Sequence, residues 1–82
     1  MKGEIVERVV GYLTRAIAED ADAVQIRMIQ EGPDEVLAEV HTAKRDMGRV
    51  IGRRGRVANA IRTLARAAGE EEGLAADVDF VD

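Results

Sequence analysis

The residues best suited to chemistry in this sequence are four consecutive ones, Gly52, Arg53, Arg54 and Gly55. Glycines lack a Cβ and let another backbone approach closely, and arginines supply forked donors that fit phosphate oxygens. A helical pattern begins at Arg56, and the start of a helix adds unpaired N–H groups and a positive dipole end. Arg49 lies just before the segment and adds further positive charge. The segment could hold a phosphate, although a tight turn with solvated arginines at its tip would need the same residues.

Charge is distributed unevenly along the chain of 82 residues, whose formal net charge is −4. Residues 44–69 contain eight cationic side chains and one acidic one, a local net charge of +7. The remaining residues contain four cationic and fifteen acidic side chains, a net charge of −11. Electrostatic fields in salt act over about 8–10 Å, so the local charge decides what binds at a given surface. The pattern favours one local anion-binding surface over a protein that coats nucleic acid.

The residue types in the sequence give little support for a catalytic or metal site. The chain has no cysteine and no serine, and its one histidine, His41, falls in a predicted strand. An activated nucleophile beside a base is therefore not indicated, and neither is a disulfide or a cysteine zinc site. The acidic residues after Gly69 lack the spacing of metal-ligand loops, and the glycines at 48, 52 and 55 fit no nucleotide-loop pattern. We predict no enzymatic activity, cofactor, metal or small-molecule substrate.

Length and composition favour a single globular domain over residues 1–82, since a second core would not fit. The chain is 46% hydrophobic and 34% charged, which is too apolar for a disordered tail. Its first ten residues are charged from the second position and lack a signal-peptide core, and no apolar run approaches the ~20 residues of a membrane span. We therefore expect a cytoplasmic protein without membrane attachment.

Hydrophobic spacing predicts six elements in the order α-β-β-α-α-β. Helical periods occupy residues 4–19, 43–51 and 56–68, and alternating patterns occupy residues 23–30, 35–42 and 74–81. A Gly-Pro turn at 31–34 indicates an antiparallel hairpin. Helices laid on one face of a three-stranded sheet give an α+β fold. In this pattern Gly11 falls on the polar side of the first helix, Gly69 ends the last helix, and the acidic run at 70–72 is a solvated loop.

The apolar arcs predicted to face the core include Val6, Val10, Leu13, Val36, Ala38, Val40, Ile61, Leu64 and Ala65. The other face of the predicted sheet carries Ile29, Leu37 and Val81 among polar neighbours. Scattered aliphatic side chains are common on protein surfaces. That face is therefore either ordinary surface or a place where a partner docks.

The stretch VIGRRGRVANAIRTL at 50–64 resembles the GxxG signature of KH domains, and the element order matches their type II arrangement. Length, first helix and strand pair extend the resemblance over nearly the whole chain, to the small stand-alone bacterial KH proteins of the KhpA type. The resemblance implies a single type II KH domain that binds single-stranded RNA by its backbone. In one departure, Ala58 stands where many KH domains carry a large aliphatic residue, which implies weaker base discrimination.

The resemblance also implies roles by position. It assigns phosphate contacts to Gly52, Arg53, Arg54 and Gly55, and flanking contacts to Arg49 and Arg56. Lys44 and Arg45 would extend the cationic track. Val50 and Ile51 would form the floor of an apolar groove, with Val40 beside them. Arg62 and Arg66 lie on the far polar arc, where solvation explains them as well as RNA contact does. Tyr12 and Phe80, the only aromatics, are predicted to lie away from the loop, so binding should be weak and salt-dependent.

By resemblance, the partners are single-stranded RNA and either a second copy or a second KH-domain protein of the Jag/KhpB type. The implied role is that of an RNA chaperone or post-transcriptional regulator linked to cell growth, cell shape and envelope synthesis. The alternative is a protein-interaction module whose cationic loop docks an acidic partner or a ribosomal complex. A helix-hairpin-helix that binds duplex DNA is disfavoured, because the glycine spacing differs and it would leave the strands unexplained.

Overall fold

The structure is a computed structural model that describes residues 2–81; Met1 and Asp82, the two ends of the predicted domain, lie outside these residues. The elements are α1 (Glu4–Ile17), β1 (Gln25–Gly32), β2 (Glu35–His41), α2 (Met47–Ile51), α3 (Arg56–Glu71) and β3 (Ala75–Val81). Single 3₁₀ turns at 21–23, 44–46 and 53–55 join some of them. The predicted α-β-β-α-α-β order and the α+β class are confirmed. None of the helices in residues 2–81 is long and apolar enough to cross a membrane.

The three strands form one mixed sheet in the order β1-β2-β3. β1 and β2 are antiparallel and joined by the turn at Pro33 and Asp34, as the Gly-Pro turn predicted. β2 and β3 are parallel, with Ala38 opposite Val78. Parallel neighbours need a crossover connection. Here α2, the GRRG segment and α3 form that crossover, so the candidate loop lies within the connection between two adjacent strands.

The core lies between the sheet and the helices α1 and α3. Every second residue of β2, namely Val36, Ala38 and Val40, is buried, as the alternation predicted. Val6 and Val10 of α1 and Ile61 and Ala65 of α3 pack against this face of the sheet. Helix α3 is thus fixed along its inner side, and its first turn has a defined position next to the GRRG segment.

Two glycines were misplaced by the sequence pattern. Gly69 does not end α3, which continues to Glu71; a Cβ at Gly69 would lie 2.9 Å from that of Ala76, so the helix touches β3 here. The left-handed residue that follows the helix is Gly73, with φ +70°. Gly11 is buried and faces Ile26 of β1 instead of solvent. Both are close approaches between elements that hydrophobic periodicity cannot reveal.

The predicted solvated loop at 70–72 is also wrong in two respects. Helix α3 includes Glu71, and the carboxylate of Glu72 accepts hydrogen bonds from the backbone N–H groups of Gly3, Ile5 and Val6, at 3.1–3.3 Å. Those N–H groups belong to the start of α1, where a helix has no internal acceptors. Glu72 therefore caps α1 from the far end of α3, which places the two helices antiparallel.

The apolar arcs of α1 and α3 are wider than the sheet can cover. Leu64, predicted to be buried, is 48% exposed, and Ile5 and Tyr12 are 37% and 74% exposed. All three line a groove of about 470 Å³ between the two helices. The exposed large hydrophobic side chains of residues 2–81 thus lie on the helical side.

Candidate nucleic-acid interface

The GRRG segment has a backbone that only glycine permits at its first position. Gly52 has φ +76° and ψ 169°, a backbone region that residues with a Cβ essentially do not adopt. A Cβ placed on Gly52 would lie 2.5 Å from Cγ2 and 3.0 Å from the backbone nitrogen of Val57. The loop therefore lies directly against the first turn of α3, and the glycine is needed for that contact.

The last two residues of the loop have left-handed conformations. Arg54 has φ +59° and Gly55 has φ +72°, and Arg54 is the one non-glycine residue of positive φ in residues 2–81. Left-handed geometry costs an L residue roughly 1–2 kcal/mol, and such strain tends to concentrate at binding sites. Gly55 is the residue before α3 and has no side chain to cap it. The backbone N–H of Arg56 donates to the carbonyl of Arg53, and no side chain of Gly55 caps the N–H groups that follow it.

The arginines of the loop are available to an anion. Arg53, Arg54 and Arg56 are exposed, and no ion pair with an acidic residue between 2 and 81 involves any of them. Arg49 is exposed too, but its guanidinium lies 3.5 Å from the carboxylate of Glu19. Lys44 and Arg45 are exposed in the 3₁₀ turn before α2. The predicted cations thus lie in the turn before α2, in α2, in the loop and at the first residue of α3, and Arg49 would exchange one anionic partner for another.

The apolar part of the predicted groove needs revision. Val50 and Val40 have no accessible surface, so both belong to the core and cannot touch a ligand in this conformation. Ile51 and Val57 are half-buried beside the loop and offer the apolar surface there. Ala58 is buried below them, in the position where the family pattern often has a larger side chain. The apolar surface is therefore smaller than the predicted groove residues indicated.

A buried carboxylate, that of Asp46, lies directly before α2. Asp46 is fully buried and accepts hydrogen bonds from two successive backbone N–H groups, Glu19 to Oδ1 at 3.1 Å and Asp20 to Oδ2 at 3.0 Å. The bond from Asp20, together with that from Glu19 and the nearby charges of Arg45 and Arg49, lowers the pKa of Asp46 despite its burial. Asp46 is therefore ionised at neutral pH, in contact with the chain that follows α1.

Arg62 and Arg66, whose role the sequence left open, both reach the outer edge of β3. The Arg62 Nε donates to the carbonyl of Val78 at 3.1 Å, and its guanidinium lies 5.4 Å from the ring centroid of Phe80. Arg66 lies 3.5 Å from the carboxylate of Asp77. Arg62 thus covers a strand edge that would otherwise expose a backbone carbonyl, and Arg66 pairs with a side chain of the same strand. Arg62 also donates to the amide oxygen of Asn59 at 3.0 Å, a contact that sequence reasoning did not foresee.

Between Lys2 and Val81, the structure brings together no cluster of side chains suited to acid–base or metal chemistry. His41 lies at the end of β2 with its Nε2 3.7 Å from a Glu39 carboxylate oxygen. Within those residues no three histidine or carboxylate groups converge as metal ligands would.

Comparison with known proteins identifies the chain's relatives. The family model described as "KhpA/KhpB, KH domain" matches residues 7–80. A protein of Caldanaerobacter subterraneus subsp. tengcongensis named "RNA-binding protein KhpA" is 37% identical over 79 residues, which span 96% of this chain and 99% of that protein. A Mycobacterium bovis protein of the same name is 38% identical over 78 residues, or 95% of this chain and 92% of that protein. No solved structure gives a significant match. Two glycines in left-handed geometry at the junction of α2 and α3, and the full-length likeness to these proteins, lead to the same conclusion: the chain belongs to the KhpA/KhpB family of KH-domain proteins.

Proposed function

We propose that this protein binds single-stranded RNA through the GRRG loop and is a binding protein, not an enzyme. The observation that carries the proposal is the loop itself, in which exposed arginines without acidic partners adjoin the uncapped start of α3. Phosphate oxygens fit both kinds of donor. The name of the relatives, "RNA-binding protein KhpA", supports RNA as the source of the phosphates.

In the proposed complex the RNA backbone crosses the loop between Gly52 and Gly55, close to its peptide groups. Arg53, Arg54 and Arg56 contact phosphates, and Arg49 joins them when it leaves Glu19. Lys44 and Arg45 extend the cationic track along the turn before α2. Bases would meet only the half-buried Ile51 and Val57, with no aromatic ring for stacking. We therefore propose a backbone grip with little base discrimination.

The biological role proposed for this activity is post-transcriptional. An RNA chaperone or regulator in the cytoplasm, linked to cell growth, cell shape and envelope synthesis, is what the KhpA-type resemblance implies. A weak grip with little base selectivity suits a protein that acts on many RNAs.

The proposal is tested by reversing the charge of the loop. In the double variant Arg53→Asp/Arg54→Asp, we expect at least roughly tenfold weaker binding of a fluorescein-labelled 12-nucleotide RNA, since several phosphate contacts are lost. The matched control is Lys2→Asp/Arg27→Asp, which changes the net charge equally at two exposed sites away from the loop and from the groove between α1 and α3. Fluorescence anisotropy measures binding, and thermal melts check that each variant folds.

Equal affinity of the loop variant and the wild type would contradict the proposal. It would favour the alternative, a loop that docks an acidic protein or a ribosomal complex. Equal losses in both double variants would mean that only overall charge matters.

We also propose that two copies of the chain pair through the groove between α1 and α3, and not through the open face of the sheet. The exposed Tyr12 projects beside the groove, so each copy offers both a projection and a hollow, as a two-fold interface requires. Arg8 and Glu71 line the same groove and are not joined to any charged residue of the described chain by an ion pair. Antiparallel α1 and α3 allow Arg8 of one copy to meet Glu71 of the other.

Sedimentation distinguishes the two surfaces. Leu64→Lys places a charge in the groove, and Leu37→Lys places the same charge on the open sheet face. We expect the wild type and Leu37→Lys to sediment as dimers and Leu64→Lys as a monomer. A monomeric wild type at about 100 µM, well above the dissociation constant of a specific dimer, would rule out pairing of identical chains. Loss of the dimer in Leu37→Lys alone would mean that the interface is the open face of the sheet.

A further inference from the structure

We infer that Asp46 is a positioning residue that fixes α2 to the chain following α1 and thereby sets the position of the GRRG loop. The inference rests on the proposed function, because positioning matters only if the loop binds RNA. Asp46 does not touch the ligand in this account. It acts through α2, which connects it directly to Gly52.

The contacts of Asp46 link two segments of the chain, α2 and the residues that follow α1. Its two carboxylate oxygens receive separate N–H groups from Glu19 and Asp20, at 3.1 and 3.0 Å. The bonds cross 26 and 27 residues of sequence, so they tie α2 to a distant part of the chain. In the part of the chain from Lys2 to Val81, Asp46 is the one charged side chain that is buried. Both oxygens have partners and solvent has no access, so the orientation of the carboxylate is fixed.

Helix α2 needs such a joint because it is short. It has five residues, from Met47 to Ile51, and helices of this length do not hold their shape alone in water. Met47 and Val50 bury its inner side in the core, but apolar contacts are not directional and do not by themselves fix the rotation of so short a helix. Asp46 adds directed hydrogen bonds at the first turn. Since Gly52 follows Ile51 directly, any rotation of α2 moves the start of the loop.

Charge at the same joint supports this arrangement. Glu19 gives its backbone N–H to Asp46 and its carboxylate to Arg49, which lies 3.5 Å away on α2. The segment after α1 therefore holds α2 at two points one helical turn apart. The pair of Glu19 and Arg49 is exposed, so water and salt weaken it. The buried bonds of Asp46 are expected to dominate.

The chain contains a matched comparison for this residue. Glu72 is also a carboxylate that accepts backbone N–H groups, from Gly3, Ile5 and Val6. It lies just beyond the end of α3, a helix of 16 residues that begins at the loop. At 1.5 Å per residue it is roughly 24 Å from the loop along the helix. The two residues thus share their chemistry and differ in distance from the GRRG segment.

The experiment compares Asp46→Asn with Glu72→Gln. In Asp46→Asn, the new amide nitrogen would face a backbone N–H, so one of the two bonds would be lost. Two readouts are the ¹H–¹⁵N shifts of the Gly52 and Gly55 amides without RNA, and the Kd for a labelled 12-nucleotide single-stranded RNA. Both are measured at a temperature where thermal melts show each variant to be folded. If Asp46→Asn does not fold, Asp46→Glu, which keeps the charge but displaces it, takes its place.

We expect Asp46→Asn to shift both glycine amides and to raise Kd roughly tenfold, as a mispositioned site does. Glu72→Gln should lower the melting temperature and leave both readouts unchanged. Equal changes in the two variants, or no change in Asp46→Asn, would overturn the inference. If the wild type fails to bind the RNA, the proposed function fails, while the glycine amide shifts still decide whether Asp46 positions the loop.

Discussion

Each glycine near the loop meets a different physical demand. Gly52 has a backbone conformation closed to other residues, and an added Cβ there would lie 2.5 Å from Cγ2 of Val57. Gly55 needs only positive φ, since an added Cβ there would have its nearest neighbour at 4.0 Å. Gly48 lies in α2 with open space around it. The same substitution at these three positions therefore separates steric contact, backbone strain and helix propensity.

Alanine at these three positions should give graded losses of stability. We expect Gly52→Ala to lower the free energy of unfolding by about 3 kcal/mol, because backbone strain and the clash with Val57 add. Gly55→Ala should cost about 1 kcal/mol through left-handed geometry alone. Gly48→Ala should be neutral or stabilise by up to ~1 kcal/mol, as in an ordinary helix. Urea denaturation measures all three, and equal losses at Gly52 and Gly55 would show that contact with Val57 is not limiting.

Acid should remove the contribution of Asp46 in a defined pH range. The backbone N–H of Asp20, then that of Glu19 and the charges of Arg45 and Arg49, hold the pKa of Asp46 below its usual 3.8, although burial acts the other way. A lowered folded-state pKa gives stability that is complete above the unfolded-chain value, about 3.9, and lost as pH falls through the folded-state pKa.

The measurement is the difference in unfolding free energy between the wild type and Asp46→Asn, from urea denaturation at several pH values. The difference should be constant from neutral pH down to about 5 and should shrink below about 4. Other carboxylates titrate in both proteins and cancel in the difference. A gap that does not change with pH would mean that the charge of Asp46 contributes nothing.

At the scale of elements, periodicity predicted what depends on local spacing. The alternation of Val36, Ala38 and Val40 indicated a strand with one buried face, and all three are buried. What it missed depends on contacts between distant elements. Gly69 looked like a helix end because nothing in the sequence shows that Ala76 of β3 lies against it. Leu64 lies on the apolar arc of α3 yet faces a groove, because the arc is wider than the surface it covers.

The same distinction applies to the candidate site. Gly52 and Gly55 were recognisable because glycines at that spacing, before a helix, have a local geometric cause. Val50 was expected at the surface of a groove and is fully buried, since adjacent residues of a helix point in different directions. Asp46 could not be assigned from the sequence, because its partners lie 26 and 27 residues away.

The hydrogen bonds that Glu72 accepts link the end of α3 to the start of α1, and their contribution to the free energy of unfolding can be measured. Glu72→Gln removes the charge that accepts three N–H groups at the start of α1, so we expect a loss of about 1–2 kcal/mol. The control is Glu70→Gln, a nearby exposed residue outside the groove, which should change the free energy of unfolding by less than ~0.5 kcal/mol. If thermal melts give the two variants equal stability, the cap contributes nothing beyond surface charge.

At the scale of the whole molecule, the distribution of charge bears on the proposed binding and pairing. Residues 44–69 are cationic while the rest of the chain is acidic, so the proposed RNA site lies in the part of the sequence most favourable to an anion. The groove between α1 and α3 lies on the helical side, and Leu64, in the middle of α3, belongs to it. A dimer through that groove would carry two GRRG loops. Linked weak sites bind one long RNA far more tightly than either does alone.

Salt dependence counts the phosphates engaged and so tests the two-loop arrangement. One loop that neutralises ~3–4 phosphates gives a log–log slope of affinity against salt of about −2 to −3 on a single strand. We expect that slope for Leu64→Lys on any RNA, and for the wild type on an RNA too short to reach both loops. On a long RNA the wild type should approach about −4 to −6, because two loops release their counterions together. The measurement is fluorescence anisotropy between about 50 and 300 mM KCl with two RNA lengths. A wild-type slope that does not change with RNA length would mean that one loop binds at a time, and a slope near zero would exclude a phosphate grip.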